Sequence, residues 1–252
     1  MQSTGVTWGV FGSALGVALM LAGLAHAAPS GKDDRCDASF FPPDSEPYGV
    51  SYEEWAERYQ QWLFGFPATA NPAADNAPPE SNQSGRVWYL ATVTGSRSVT
   101  RHMTVPAHTA LFFSALSIRV NNKECPEDTT FSTAELTAKA EELWQTALTA
   151  SVTIDGREVE GFDDLQTSPF LVQTDAFEAT LADHDNLQAA GGLTCVPDGI
   201  TIYPNVARGV YLMVKPLSLG HHTIRIVGVA GPPDDPAFEK DVTYEIDVVR
   251  RH

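Results

Sequence analysis

Positive charge is scarce in this sequence of 252 residues. Sixteen lysines and arginines stand against 32 aspartates and glutamates, so the formal net charge at pH 7 is −16. A surface with this charge repels phosphate backbones and anionic lipid headgroups. We therefore expect no nucleic-acid partner, and no membrane association of the mature form.

Charged side chains are missing altogether from the first 28 residues. This stretch contains an apolar run from Val10 to Ala25 and ends in Ala25-His26-Ala27, the small-x-small pattern of a signal-peptide cleavage site. We interpret residues 1–27 as a signal peptide, which predicts a secreted or periplasmic protein. An uncleaved membrane anchor is the alternative, and the short, glycine-interrupted run argues against it.

Cysteine is also rare, with only Cys36, Cys125 and Cys195 in the chain. An exported chain meets oxidising conditions, so one intramolecular disulfide is plausible, and the sequence leaves all three pairings open. No two cysteines stand at the C-x-x-C spacing of a thiolate zinc site. We therefore expect a disulfide among these three residues and no zinc site.

Short catalytic signatures are missing as well. The sequence has no G-x-S-x-G elbow, no H-E-x-x-H zinc motif and no phosphate-binding P-loop. This favours a secreted, non-catalytic protein that binds a ligand or a surface partner, although the question of enzyme activity stays open. The alternatives are a secreted hydrolase whose site is assembled from distant loops, and a structural subunit of a surface assembly. No cofactor is expected apart from a calcium ion, considered below.

Two segments have the apolar periodicity of amphipathic helices. Ser51 and Glu54 form an S-x-x-E capping box before the first, and Ser132 and Glu135 form another before the second. One face of the first helix carries aromatic residues at steps of three and four: Tyr52, Trp55, Tyr59, Trp62 and Phe66. We predict that this face is buried and that it is not an exposed ligand platform.

The second helix is expected to end near Ala150. Its predicted buried stripe consists of Leu136, Ala140, Leu143 and Ala147, with Trp144 as a further candidate.

Strand signals dominate the rest of the chain. The predicted strands are 86–95, 99–106, 109–120, 209–217, 220–230 and 240–249. Residues 109–120 are nearly continuous in apolar side chains, as in a central strand. Residues 152–159 are predicted as a hairpin with Asp155-Gly156 at a type I′ turn.

These elements predict a mainly β fold. Many short strands with turn-rich connections indicate a β-sandwich, with a jelly roll as one candidate topology, and two amphipathic helices packed on it. We expect residues 28–50 to form an extended lead-in and residues 51–252 to form a single β-rich domain.

One acidic loop is similar to the start of a calcium-binding loop. Asp183, Asp185 and Asn186 offer the oxygen ligands that calcium prefers. Leu187 and Gln188 replace the ligand and the glycine that an EF-hand needs next, so the predicted calcium site is an irregular one. A solvated acidic loop is the alternative.

Histidines are the other candidates for chemistry. His221 and His222 are neighbours at the start of a predicted strand, so their side chains point to opposite faces and do not easily share one metal ion. His222 follows a turn, where a histidine more often bonds a turn carbonyl than a metal ion. We expect a structural role for His222, and the sequence identifies no catalytic or ligand-binding residue.

Several short motifs together resemble a family of uncharacterised exported bacterial proteins. They are the S-Y-x-E-W…Q-W helix at 51–62, V-W-Y-L at 87–90, V-P-A-x-x-A-L-F-F at 105–113, N-x-E-C at 122–125 and L-x-P-L-x-x-G-x-H-T-I around 214–224. The resemblance implies a single exported domain, and it supplies no activity or catalytic residue. Members often carry further cysteines, one of them at the place of His102, so the usual disulfide pattern of the family does not transfer to this chain.

Overall fold

Strands are the most abundant regular elements of the molecule, as the sequence predicts. The computed structural model describes residues 39–123 and 130–250. The α-helices in these ranges are α1 (Tyr52–Phe64), α2 (Thr133–Trp144) and α3 (Leu187–Ala190), and the short 3-10 helices are Pro47–Gly49, Ala68–Ala70 and Pro72–Ala74. The strands are β1 (Val87–Tyr89), β2 (Arg97–Pro106), β3 (Ala110–Asn121), β4 (Ala147–Ile154), β5 (Arg157–Glu158), β6 (Leu171–Gln173), β7 (Phe177–Thr180), β8 (Thr201–Val214), β9 (Gly220–Ala230) and β10 (Phe238–Val249).

The first sheet is built around β3 and β8. Its order is β1-β3-β8-β6, and β7 also pairs with β8. β1 runs parallel to β3, and the other pairs are antiparallel. The β3–β8 register shifts between Ser114 and Leu116. Gly209 of β8 lies close to this stretch, and a Cβ there would come within 2.5 Å of the Leu116 carbonyl oxygen, so the close approach requires glycine.

The second sheet has the order β2-β10-β9-β4-β5. β2 runs parallel to β10, and the other pairs are antiparallel. β4 and β5 form the predicted hairpin. Asp155 has a φ of 49° and Gly156 a φ of 75°, and positive φ at both positions is what a type I′ turn requires. The predicted turn is therefore confirmed.

The main hydrophobic core lies between the two sheets. Phe113 and Leu212 of the first sheet and Val152, Ile226 and Ile246 of the second belong to it, and none is more than 2% exposed. The predicted β-sandwich is confirmed by this arrangement. Each sheet also contains one parallel pair, which an all-antiparallel jelly roll does not have.

Helix α1 covers the other face of the first sheet, so the central strand β3 is buried from both sides. Its aromatic face packs against Phe112 and Tyr211 in a second apolar cluster. Trp55 is 7% exposed and Tyr59 fully buried, whereas Trp62 is only partly buried. Burial of one such side chain stabilises the fold by about 1.5–3 kcal/mol. The interpretation of this face as structural is therefore confirmed.

The two predicted capping boxes differ in the structure. The Ser51 hydroxyl accepts a hydrogen bond from the Glu54 N–H, but the Glu54 carboxylate pairs with Arg58, so only half of the first box forms. The second box is complete, because the Ser132 hydroxyl bonds the Glu135 N–H and the Glu135 carboxylate bonds the Ser132 N–H. The bonds from Ser132 lower the pKa of that carboxyl group.

The prediction for the end of α2 is wrong. The helix ends at Trp144, and Ala147–Ile154 form β4 because they pair with β9. Trp144 is fully buried and Leu143 is 40% exposed, so Leu143 does not belong to the buried stripe. Sheet pairing has overridden the helical periodicity after Trp144.

The strand predicted at 86–95 is also shorter than expected, since β1 contains only Val87–Tyr89. The carbonyl oxygens of Ala91 and Thr92 accept hydrogen bonds from the Arg101 guanidinium at 2.6 and 3.0 Å. The Ala91 carbonyl also accepts from the Tyr244 hydroxyl, so both of its lone pairs serve side chains instead of a neighbouring strand.

The described part of the lead-in is tied to the end of β8. Phe40 forms a β-bridge with Val214, and the Phe41 N–H donates to the Met213 carbonyl. Among the described residues, no helix is both long and apolar enough to cross a membrane. The predicted signal peptide lies outside the described residues, so export stays a prediction.

Candidate ligand-binding cleft

The predicted calcium loop uses its polar groups within the protein. Asn186 is fully buried: its oxygen caps α3, and its amide nitrogen donates to the Val196 carbonyl and to the Asp198 carboxylate. The Asp185 carboxylate accepts from a backbone N–H in the loop after α1, and the Asp183 carboxylate bonds the neighbouring histidine. Within residues 39–123 and 130–250, no group of three or more His, Cys, Asp or Glu could hold a metal ion. A calcium site here stays a prediction.

Cys195 lies in the loop between α3 and β8 and is disulfide-bonded. Cys36 and Cys125 lie outside the described residues. Because the sequence contains no other cysteine, the partner is one of these two, and the choice between them stays a prediction.

His222 connects two turns at one end of the second sheet. Its Nδ1 lies 2.7 Å from Asp155 Oδ2, and its Nε2 lies 3.1 Å from Ser218 Oγ and 3.0 Å from the Ser218 carbonyl oxygen. The spatial arrangement of Ser218, His222 and Asp155 is similar to that of an acyl-transfer triad. The Ser218 carbonyl competes with the hydroxyl for Nε2, and Asp155 Oδ1 accepts from the Thr223 N–H. These bonds hold the β4–β5 turn against the start of β9, and the predicted bond to a turn carbonyl is present.

Two adjoining cavities lie at the far end of β3. One of about 620 Å³ is bounded by α1, α2, α3 and β3, and one of about 240 Å³ is bounded by α2, β3 and β10. Both are lined by Thr92, Val93, Ser117, Ile118 and Leu143. We refer to the two cavities together as the cleft.

Most of the wall of the cleft is apolar. Leu63 and Phe64 of α1 line the larger cavity, and Trp144 and Phe238 line the smaller one. Volumes of about 300–1,000 Å³ with mostly apolar walls and a few polar groups are typical of small-molecule sites. The cleft therefore has the size and lining of a ligand pocket.

Arg119 is the polar group of the larger cavity. Ser117, Arg119 and Asn121 alternate along β3 and therefore project from one side of the strand. The guanidinium carbon of Arg119 lies 3.4 Å from the centroid of the Phe64 ring, and Nη2 donates to Gln188 Oε1 at 2.5 Å. Nη1 is shielded from solvent and has no hydrogen-bond partner among the described residues. Burial lowers the pKa of Arg119 to about 9, so the group still carries its charge at pH 7.

Lys240 is the polar group of the smaller cavity. It is 3% exposed, and its Nζ donates to Thr92 Oγ1 at 2.9 Å and to the Ser114 carbonyl at 3.0 Å. Burial, together with repulsion by Arg101, lowers the pKa of this amine to about 7. Its partners are neutral, like those of Arg119.

Arg101 is buried nearby and has a different environment. Its Nε donates to Asp75 Oδ1 at 2.6 Å, and its Nη1 donates to the Tyr244 hydroxyl at 2.7 Å. Burial alone would lower the pKa of Arg101, but the interactions with Tyr244 and Asp75 outweigh burial and raise it. The protein therefore compensates this buried charge itself.

The cleft also differs in charge from the chain as a whole. Its lining includes Arg119, Lys123, Lys139 and Lys240, and no described Asp or Glu lines either cavity. In a protein with a net charge of −16, this makes the cleft a local region of positive charge. Apolar walls beside a buried cation suit a ligand that has an apolar body and an anionic group.

Sequence reasoning did not identify Arg119, Gln188 or Lys240 as site residues. Arg119 interrupts the apolar run at 109–120. A charged residue inside an apolar strand was therefore the signal in the sequence that could have indicated this site residue. The sequence distinguishes Gln188 only because it stands where an EF-hand would need a glycine. Lys240 is the first residue of a predicted strand in which apolar and polar side chains alternate. Nothing in that pattern indicates that Lys240 is buried.

Comparison with known proteins identifies no family for this chain. No family model matches it, and no curated protein matches it. Solved structures with weak similarity include PbICP-C in complex with falcipain-2, at 11% identity over 66% of this chain and 100% of that chain, with a TM-score of 0.26. Another is EhICP2, a cysteine protease inhibitor from Entamoeba histolytica, at 9% identity over 61% and 95%, with a TM-score of 0.22. TM-scores this low support no conclusion about function, and the resemblance to exported bacterial proteins stays a prediction.

Proposed function

We propose that the protein is an exported, non-catalytic β-sandwich that binds a small molecule in the cleft. The observation that carries this proposal is a largely apolar cavity of about 620 Å³ with the partly buried, charged Arg119 in its wall, whose Nη1 is shielded from solvent. The apolar stretch at Val10–Ala25 and the small-x-small sequence that follows support export.

The energetics of Arg119 support binding at this place. A buried charge without an opposite charge is costly, and buried donors without a partner are rare in folded proteins. Each such exception needs a physical explanation, and a ligand that supplies the missing partner is one. Arg119 meets both conditions, since its direct partners are neutral and its Nη1 has none among the described residues.

The test uses 8-anilinonaphthalene-1-sulfonate, an anion with apolar rings that fluoresces in apolar sites. We expect saturable binding at one site per chain. Ile118→Trp places a large side chain where both cavities meet and is expected to weaken binding about tenfold or more by filling the site. Near-UV circular dichroism checks that the variant keeps its native packing.

The matched control is Leu219→Trp, which adds the same side chain at a position that is 50% exposed in the turn before β9. This variant is expected to bind the dye like the unmodified protein. If Leu219→Trp abolishes binding and Ile118→Trp does not, the ligand binds near Ser218 and the assignment to the cleft is wrong.

A serine hydrolase is the second candidate function, because of the Ser218–His222–Asp155 geometry. A cavity of about 580 Å³ lies beside Ser218, so a substrate has space there. A fluorophosphonate probe, which labels activated serines, separates the two candidates. The binding function predicts no labelling. Labelling that disappears in Ser218→Ala and in His222→Asn would replace the binding function with the hydrolase.

A further inference from the structure

We infer that the ligand of the cleft is a monocarboxylic acid with an apolar body, and that Arg119 is the residue that binds its carboxylate. This inference rests on the proposed binding function and specifies the chemical class of the ligand. It follows from the geometry of the guanidinium group and from the lining around it.

Nη1 is the guanidinium donor that is shielded from solvent and unpaired within the described part of the chain, so a ligand in the cavity reaches it once the Arg119 side chain turns toward that cavity. Phe64 covers one face of the group, and Gln188 occupies Nη2, which leaves Nη1 without a partner among the described residues. Gln188 Oε1 accepts from Nη2 in the way that a carboxylate oxygen accepts in an ion pair, but this amide oxygen carries no charge. A ligand carboxylate supplies the missing negative charge, and one of its oxygens accepts a charge-assisted hydrogen bond from Nη1.

The lining favours a monocarboxylate over a phosphate. A phosphate carries several oxygens that need donors, and each one left unpaired in an apolar site is costly. Arg119 Nη1 is a single shielded donor beside the apolar wall, whereas Lys240 already donates to Thr92 and Ser114 and Lys139 lies over the Phe131 ring. The remaining walls of Leu63, Phe64, Trp144 and Phe238 suit a hydrocarbon chain or ring.

The experiment compares decanoate with decanol, which has the same chain and no charge. Binding is followed at pH 7.5 through the intrinsic tryptophan fluorescence, to which Trp144 in the wall of the smaller cavity contributes, and is checked by calorimetry. We expect decanoate to bind about tenfold more tightly than decanol or better, because a hydrogen bond to a charged group contributes roughly that factor.

Two independent variants remove the preference for the acid. Arg119→Met removes the cation, and Gln188→Glu provides an internal carboxylate that competes with the ligand. Each is expected to bring the affinity ratio of decanoate to decanol close to one while decanol binding persists. Arg225→Met is the control, since Arg225 is exposed and pairs with Asp241 on the outer face of the second sheet. It removes one positive charge elsewhere and should keep the ratio.

The outcomes separate this inference from the proposed function. Equal binding of both compounds, unchanged in Arg119→Met, overturns the carboxylate assignment and leaves the cleft as a site for neutral ligands. A preference for decanoate that persists in both variants overturns the role of Arg119. If neither compound binds and the dye does not bind either, the proposed function itself is wrong.

Discussion

Arg101 is buried and Arg119 is partly buried, and the fold surrounds their two charges with opposite kinds of partner. Arg101 bonds the Asp75 carboxylate, three backbone carbonyls and the Tyr244 hydroxyl. Arg119 has a neutral amide oxygen at Nη2 and a ring at its face, with Nη1 unpaired among the described residues. The fold supplies the counter-charge in the first case and leaves it to another molecule in the second.

This difference shows that burial alone does not assign a role to a charged residue. The bonds of Arg101 connect the loop after β1 with β10, which joins parts of the two sheets. Arg119 makes no comparable connection and faces a cavity. The stability of the protein should therefore depend strongly on Arg101 and little on Arg119, and ligand binding should show the reverse dependence.

The largest expected effect is on stability in Arg101→Met. Removing one partner of a buried charge pair leaves polar groups uncompensated, which costs about 3–5 kcal/mol. Urea unfolding followed by tryptophan fluorescence measures the change in the free energy of unfolding. A loss below about 1 kcal/mol would show that the Arg101 network is not what holds the two sheets together.

A smaller loss is expected in Asp75→Asn, which keeps the shape of the side chain and removes its charge. Asp75 is about one-third exposed and also pairs with Arg97 at 2.8 Å, so water replaces part of the lost interaction. We expect a loss of about 1–2 kcal/mol in the free energy of unfolding. The same urea experiment checks it, and a loss as large as that of Arg101→Met would contradict the partial exposure assigned to Asp75.

Lys240 makes stability depend on pH. Its pKa is about 7 in the folded protein and near 10.5 when exposed. Between these values the unfolded chain binds a proton that the folded protein does not, so stability rises with pH from about 7 upward. We expect a gain of about 2 kcal/mol between pH 7 and pH 9 from this group. In Lys240→Met the rise should be absent, and an unchanged slope would show that Lys240 does not titrate in this range.

The smallest effect on stability is expected in Arg119→Met. This variant loses one hydrogen bond and the contact with Phe64, and it also removes the cost of an uncompensated buried charge. The two contributions offset each other, so the free energy of unfolding should change by less than about 1 kcal/mol. A loss comparable to that of Arg101→Met would mean that Arg119 is a structural residue, and the comparison between the two arginines would fail.

Local periodicity predicted the elements of the fold better than it predicted their ends. The aromatic face of α1 and the Asp155-Gly156 turn follow from spacing and turn chemistry, which are properties of neighbouring residues. The end of α2 and the shortness of β1 depend on pairing with β9 and on the Arg101 guanidinium, which are distant in sequence. Short-range patterns do not contain that information.

The cleft was beyond sequence reasoning for the same reason. Phe64, Arg119 and Gln188 come from three separate elements, and they meet only when α1, β3 and α3 are in place. An arginine within an apolar strand can be noticed in the sequence, but whether a carboxylate lies next to it is decided by tertiary structure. Arg101 and Arg119 are both in strands, and only the fold distinguishes them.

A crystal structure of the protein with decanoate tests the central claim most directly. The account predicts the carboxylate at about 2.7–2.9 Å from Arg119 Nη1, with the hydrocarbon chain against the apolar wall of the cleft. Decanoate bound away from Arg119, with Nη1 paired to a protein carboxylate, would contradict it.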